Sequence, residues 1–349
     1  MKIDFRRSTV AIAALVCFGC SSLLAQGKTD GKLKVYFIDV DGGQATLFIT
    51  PAGQSLLIDT GWPGQNGLDA DRIVSIAKKE GLSKIDYVLI THYHADHAGG
   101  IPELVKRIPV GTFLDNGPNR EFDKGITEKD YAEYQKVLAA GKSKVIHETP
   151  GQLLPIKGMQ ATVISSDGKL IEKPLAGGGE TNSYCASSEI RPEDQTENAH
   201  SLGIAINFGK VKLLDLGDLT WDKERVLMCP TNKLGPIDVL IVSHHGWIQS
   251  SSPALVYAIH PQVAIMDNGA MKGGSTPILK IFKASPGLEA LWQLHYSNEG
   301  GDANNTAEEL IANPKGPDSA HYIELIANKN GSYDVINERT GLTKHYTAK

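Results

Sequence analysis

THYHADHAGG, residues 91–100, places His92, His94, Asp96 and His97 within six positions, directly after the apolar run DYVLI. Imidazole nitrogen and carboxylate oxygen are the ligands that zinc accepts in hydrolytic sites, where one position is left to water or substrate. His92 and His94 are two apart and face the same way if strand geometry persists briefly. Asp96 and His97 belong to the turn beyond and can face a second ion. One ion could not use all four groups without strain, so the spacing points to a pair. A solvated polar loop explains the crowding poorly.

Outward from this stretch the chain shows a repeated pattern. KVYFIDV and ATLFIT are short β-rich runs around DGGQ and read as a hairpin. QSLLIDTG reads as a buried strand ending at Asp59. Residues 68–80 carry Ile73, Val74 and Ala77 at helical spacing and stop at Gly81, and IPELVKRI after the histidines reads as a second helix. In the second half, HSLGIAINFGKVKLLDLGD gives two strands around a glycine turn and ends in Asp215 and Asp218. IDVLIVSHHG then mirrors IDYVLITHYH: an acid, an apolar strand, histidines at its carboxyl end. This points to an internal duplication in which each half supplies a sheet. The expected fold is α/β, a four-layer αββα sandwich with the site at one edge, where strand-end loops from both sheets meet. Insertions are expected over 111–150, with a helix near 127–140, and over 172–199, a glycine-bearing loop without periodicity. Residues 286–349 read as a C-terminal extension that closes in an Asn-Gly hairpin.

The first 25 residues read separately. Lys2, Arg6 and Arg7 precede a short apolar core, and Ala25 offers a cleavage point, the layout of a secretory signal peptide. The chain is therefore expected to be exported, periplasmic or secreted, and Cys20 leaves open a lipid anchor. Cleavage leaves 324 residues, 26–349, enough for one large hydrolase domain. Removing three basic residues and one acid from a chain of formal charge −5 leaves the remainder near −7. An acidic chain is poorly suited to gripping a nucleic-acid backbone by charge alone. Beyond the leader no stretch is long and apolar enough to span a membrane. Cys185 and Cys229 remain; export permits them to pair, but two cysteines make no disulfide framework.

The stretches FIDVDGGQATLF, LLIDTG, DYVLITHYHADHAGGIPEL, LLDLGDL and DVLIVSHHG resemble the metallo-β-lactamase-fold hydrolases. Within that superfamily they are most similar to the extracytoplasmic hydrolase domain of ComEC-type competence proteins. The resemblance implies two divalent ions, zinc or manganese. His92, His94 and His200 would hold one. Asp96, His97 and His245 (or His244) would hold the other, with Asp218 between them. Whichever of His244 and His245 is not the ligand, His244 on this reading, would be an outer donor or contact the substrate's oxyanion; Asp96 would steady the nucleophile or accept its proton, and Asp59 would orient the histidine loop without binding metal. The ComEC-like branch often has a small polar residue where this chain has His200, in NAHSL. If His200 turns away, the first ion would be held weakly.

Two such ions, about 3.5–4 Å apart, share a bridging hydroxide at near-neutral pH and polarise the electrophile. The resemblance implies a phosphodiester or another phosphoester as substrate, a small molecule or an oligomer. A carboxylic ester, lactone or β-lactam is the alternative, as is a metal-binding accessory protein without turnover. No serine or cysteine nucleophile is required. Trp62, Tyr93, Asn268 and His295 lie near these motifs without an assigned role, and His147, His260, His321 and His345 read as structural.

Overall fold

The computed structural model describes Met1 and residues 30–122, 125–316 and 320–349; most of the leader, with Cys20 and Ala25, lies outside the described residues. Two large sheets stack face to face. In the first the strand order runs Thr343–Thr347, Ser332–Asn337, Ile323–Ala327, Leu33–Phe37, Thr46–Ile49, Ser55–Ile58, Ile85–Leu89, Val110–Asp115, Lys144–His147. The second runs Ile311–Asn313, Ala290–His295, Val263–Met266, Val239–Ile241, Val211–Asp215, Gly203–Phe208, Gln160–Ser166, Lys169–Leu170.

Each sheet is antiparallel where hairpins connect its strands and parallel where helices cross over. Thr46–Ile49 pairs antiparallel with Ser55–Ile58, which pairs parallel with Ile85–Leu89. Likewise Gly203–Phe208 pairs antiparallel with Val211–Asp215, which pairs parallel with Val239–Ile241. This matched topology is the repeat that the sequence shows.

Alternation along single strands builds the four layers. Leu56 and Ile58 point into the core between the sheets, while Leu57 between them faces the outer helices. With both faces covered, such strands read as continuous apolar runs. Helices Leu68–Lys79, Ile101–Arg107 and Ile126–Ala139 cover the first sheet. Helices Trp221–Met228, Pro253–Ile259 and Thr276–Lys283 cover the second. Among the described residues no helix is long and apolar enough to cross a membrane.

Two expected boundaries shift. Val110–Asp115 and Lys144–His147, placed in an insertion over 111–150, are parallel strands of the first sheet. Residues 286–349 are no single extension. Ala290–His295 and Ile311–Asn313 finish the second sheet, and the last three strands return to the first, where Ile323–Ala327 pairs with Leu33–Phe37 and the other two follow outward. Apolar strands of this kind are stable only inside a sheet, and sequence periodicity does not say which one. The 172–199 loop is tied down: Glu180–Thr181 pairs with Thr231–Asn232, and Cys185 is disulfide-bonded to Cys229.

Candidate metal centre

Four parallel strands end at one edge of the sandwich, and each delivers chemistry in the residues that follow. Ser55–Ile58 leads to Asp59, and Ile85–Leu89 to His92, His94, Asp96 and His97. Val211–Asp215 leads to Asp218, and Val239–Ile241 to His244 and His245. The two loops from the second sheet come very close to the first. A Cβ on Gly217 would lie 2.8 Å from Cβ of Thr91, so only glycine lets Asp218 approach the histidine loop.

Asp96, His97, Asp218 and His245 are buried, with ligand atoms all within 4.8 Å of one another. Nε2 of His245 lies 3.0 Å from Asp96, and Nε2 of His97 lies 3.2 Å from Asp96 and 3.3 Å from Asp218. His92 and His244 turn Nε2 toward the same Asp218 oxygen, at 3.9 and 3.3 Å.

Each of these histidines engages an outer partner with one ring nitrogen and leaves the other for the centre. Nδ1 of His92 bonds Thr91 Oγ1 at 3.0 Å, and that hydroxyl donates onward to Asp59. His97 Nδ1 bonds Asp59 at 2.7 Å, His244 Nδ1 bonds Ser250 Oγ at 3.3 Å, and His245 Nδ1 lies 3.3 Å from Asp267. His94 uses its other nitrogen: Nε2 bonds Glu121 at 2.9 Å, which leaves Nδ1. These partners set the tautomers and aim the lone pairs, as the outer partners of metal-ligating histidines do.

The set fits divalent ions. Nε2 of His92 and Oδ1 of Asp218 are buried and lack a hydrogen-bond partner within the protein. Orphaned donors and acceptors at such a depth are costly and need something between them. Charge says the same. Burial opposes ionisation of Asp218, yet His244, His97 and His245 hold its carboxyl well below the usual range. Asp96 is held down against burial by His97 and Lys272. Burial works against charging His97, but Asp218, Asp96 and Asp59 outweigh it and hold the ring well above its ordinary value. His245 likewise ends at about 9, because Asp218 and Asp267 outweigh its burial. Burial drops His92 far below its ordinary value and His244 to about 4.

His200 stands apart. Its Nδ1 faces Asp167 at 3.7 Å, and its ring lies against Gly168. Burial lowers its pKa, and the charges that act on it are Asp167, Lys223 and Arg120, none of them from the centre. Expected as a ligand of the first ion, it is turned to the Asp167–Gly168 turn instead.

Other groups were not legible beforehand. Lys272 places its ammonium against Asp96 Oδ2 and 4.8 Å from the ring of Trp62. Trp62 borders a cavity of about 200 Å³ with Asp41, Gln65 and Arg72. Glu121 and Lys272 lie in loops without periodicity and gave no signal. Asp267 did carry one, since AIMD ends a strand in an acid just as LLID and LLD do. Asn268 donates to the carbonyls of Gly269 and His295 and so braces the Lys272 loop. Tyr93 points into the first sheet's outer core, donating to the Gly117 carbonyl and packing on Tyr131 and Tyr134. His295 is buried against Asp39; His147, His321 and His345 each pair with an acid, and His260 caps a helix.

Residues 39–169 match the Metallo-beta-lactamase superfamily. Recombination protein 2 of Haemophilus influenzae is 27% identical over 77% of this chain and 28% of its own length. Endoribonuclease ysh1 of Emericella nidulans is 24% identical over 72% of this chain and 27% of its own. Hydroxyacylglutathione hydrolase of Xanthomonas campestris pv. campestris is 32% identical over 28% of this chain and 34% of its own. The matched regions thus span about a third or less of each relative.

Proposed function

We propose that this chain, whose residues 39–169 match the Metallo-beta-lactamase superfamily, is an exported metal-dependent hydrolase that holds two divalent ions, zinc or manganese, and cleaves a phosphodiester. The observation that carries this reading is the convergence of four buried histidines, His92, His97, His244 and His245, on Asp96 and Asp218, each facing an outer partner with its other nitrogen. A degenerate binding relative would be expected to have lost part of such a set.

Ions bound there supply a hydroxide near neutral pH and a Lewis acid for the charge that develops on the substrate. The chain's own groups do the rest. Asp59 and Thr91 lock the rings of His97 and His92. Asp96, ionised at neutral pH, would hold an ion of the centre and would steady the nucleophile that the ion supplies. Lys272, at the edge of the centre, presents a positive charge to a non-bridging oxygen of an anionic diester, and Trp62 gives that subsite an aromatic wall. A covalent thiol route has no support, since Cys185 is tied up with Cys229. That disulfide also favours an oxidising compartment, in keeping with export. Two relatives pull in different directions, one an endoribonuclease and the other a hydroxyacylglutathione hydrolase. Lys272 favours the phosphate.

The test is hydrolysis of bis(p-nitrophenyl) phosphate by the purified chain, stripped by chelation and reloaded with zinc or manganese. Turnover restored by metal and abolished in Asp96→Asn supports the reading. A chain that binds two ions per molecule and leaves the diester intact would sink it and bring thioesters, esters and lactones forward.

A further inference from the structure

We infer that His244, and not His200, completes the first metal site, so that the adjacent histidines of SHHG serve one ion each. The inference rests on the metal-dependent reading above and assigns a ligand within it.

Three observations carry it. First, Nε2 of His244 lies 3.3 Å from Asp218 Oδ2, and Nε2 of His92 lies 3.9 Å from that same oxygen. Two ligands about 2.0–2.1 Å from one tetrahedral ion sit roughly 3.3 Å apart, so the His244 spacing suits neighbouring corners of one coordination shell, and His92 approaches the same oxygen from farther off. Second, the tautomer is correct. Ser250 Oγ donates to the Asp218 carbonyl at 3.2 Å and therefore accepts from Nδ1 of His244, which leaves the Nε2 lone pair facing the centre. The side chain is also buried, and Nε2 of His92 opposite it has no partner in the protein.

Third, the backbone is bent to present both rings. His244 and His245 have φ of 56° and 54°, two successive non-glycine residues in the left-handed region. Each costs on the order of 1–2 kcal/mol and persists only where surroundings impose it. Here the His244 amide bonds the Gly217 carbonyl, and the His245 carbonyl accepts from Gly274. This double turn sets the two rings 6.1 Å apart and nearly perpendicular, His245 toward Asp96 and His244 toward His92's side of Asp218. His200 meanwhile rests against Asp167 and Gly168.

The experiment counts ions in the full chain by elemental analysis and titrates them against a chelator. Wild type should bind two ions. His244→Asn, whose side chain tolerates the left-handed backbone, should retain one tightly and lose the other by at least tenfold in affinity, as should His92→Ala. His200→Ala should keep both. Two ions held unchanged by His244→Asn, one ion lost in His200→Ala, or a single ion in wild type would each overturn the assignment. If His244→Asn does not fold, the count in His200→Ala still decides. Absence of diester turnover in a chain that gives these counts would remove the phosphodiesterase reading and leave the ligand assignment standing.

Discussion

Nδ1 of His97 lies 2.7 Å from the carboxylate of Asp59, while Nε2 of the same ring reaches Asp218 at 3.3 Å on the far side. Asp59 also accepts from the Thr91 amide and hydroxyl, at 2.8 and 2.7 Å, and is fully buried. One carboxylate, at the end of a neighbouring strand, therefore fixes both the loop and the ring. Asp59→Asn keeps the shape, and asparagine tolerates the φ of 58° at this position. It removes the acceptor that holds the His97 proton on Nδ1. Metal affinity should fall about 10–100-fold with secondary structure intact, as read by chelator competition beside circular dichroism. Unchanged affinity would show that Asp59 matters only for the fold.

Lys272 competes for the carboxylate that an inner ion needs. Its ammonium contacts Asp96, and a cation there repels a divalent ion. Lys272→Met should tighten metal binding by on the order of tenfold, equivalent to about 1.4 kcal/mol. It should also raise KM for an anionic diester more than it lowers kcat. The two shifts have opposite signs, one in metal affinity and one in substrate affinity. Loss of both affinities together would assign Lys272 a role in holding the loop alone.

Acidity should act differently on the metal-free and loaded chains. His245 is raised to about 9 by Asp218 and Asp267 against its burial, above an unfolded value near 6.5. Its contribution to metal-free stability is thus complete below pH 6.5 and fades as pH climbs through about 9. His97 shifts in the same direction. Metal binding requires these rings neutral, so the loaded chain gains as pH rises. The gap in Tm between loaded and chelated protein should widen from pH 6.5 to 9. His245→Asn should flatten the metal-free slope over that range. A metal-free Tm that rises across this window in wild type would contradict the charge pattern.

The sequence disclosed the sheets and the strand ends because both follow from short-range patterns. Apolar runs ending in Asp59, Asp218 or a histidine pair repeat at matched positions, and helix limits fall within a residue of those expected. What it could not disclose was rotamer and partner. His200 lies one residue before Ser201, whose hydroxyl accepts from the Asp218 amide, yet its own ring goes to Asp167. Nothing in NAHSL says which way a side chain at the end of a short helical turn will point. Return of the tail to the first sheet was equally hidden, since Ile323–Ala327 would suit either edge by pattern alone.

Cys185 and Cys229 join the 172–199 loop to the end of helix Trp221–Met228. Other ties on the loop are Arg191 stacked over Trp221 and bonded to the Ile248 carbonyl, just beyond the histidine pair. The bridge closes a stretch of 44 residues and should contribute about 2–4 kcal/mol by restricting the unfolded chain. The double variant Cys185→Ser with Cys229→Ser should therefore melt several degrees lower. Because Asp218, His244 and His245 are held by their own hydrogen bonds and not by the loop, metal stoichiometry should remain at the wild-type count. Calorimetry and elemental analysis on the same sample separate the two effects. A variant that melts normally but loses an ion would mean that the loop, through Arg191 and Ile248, is what holds the histidine turn in place.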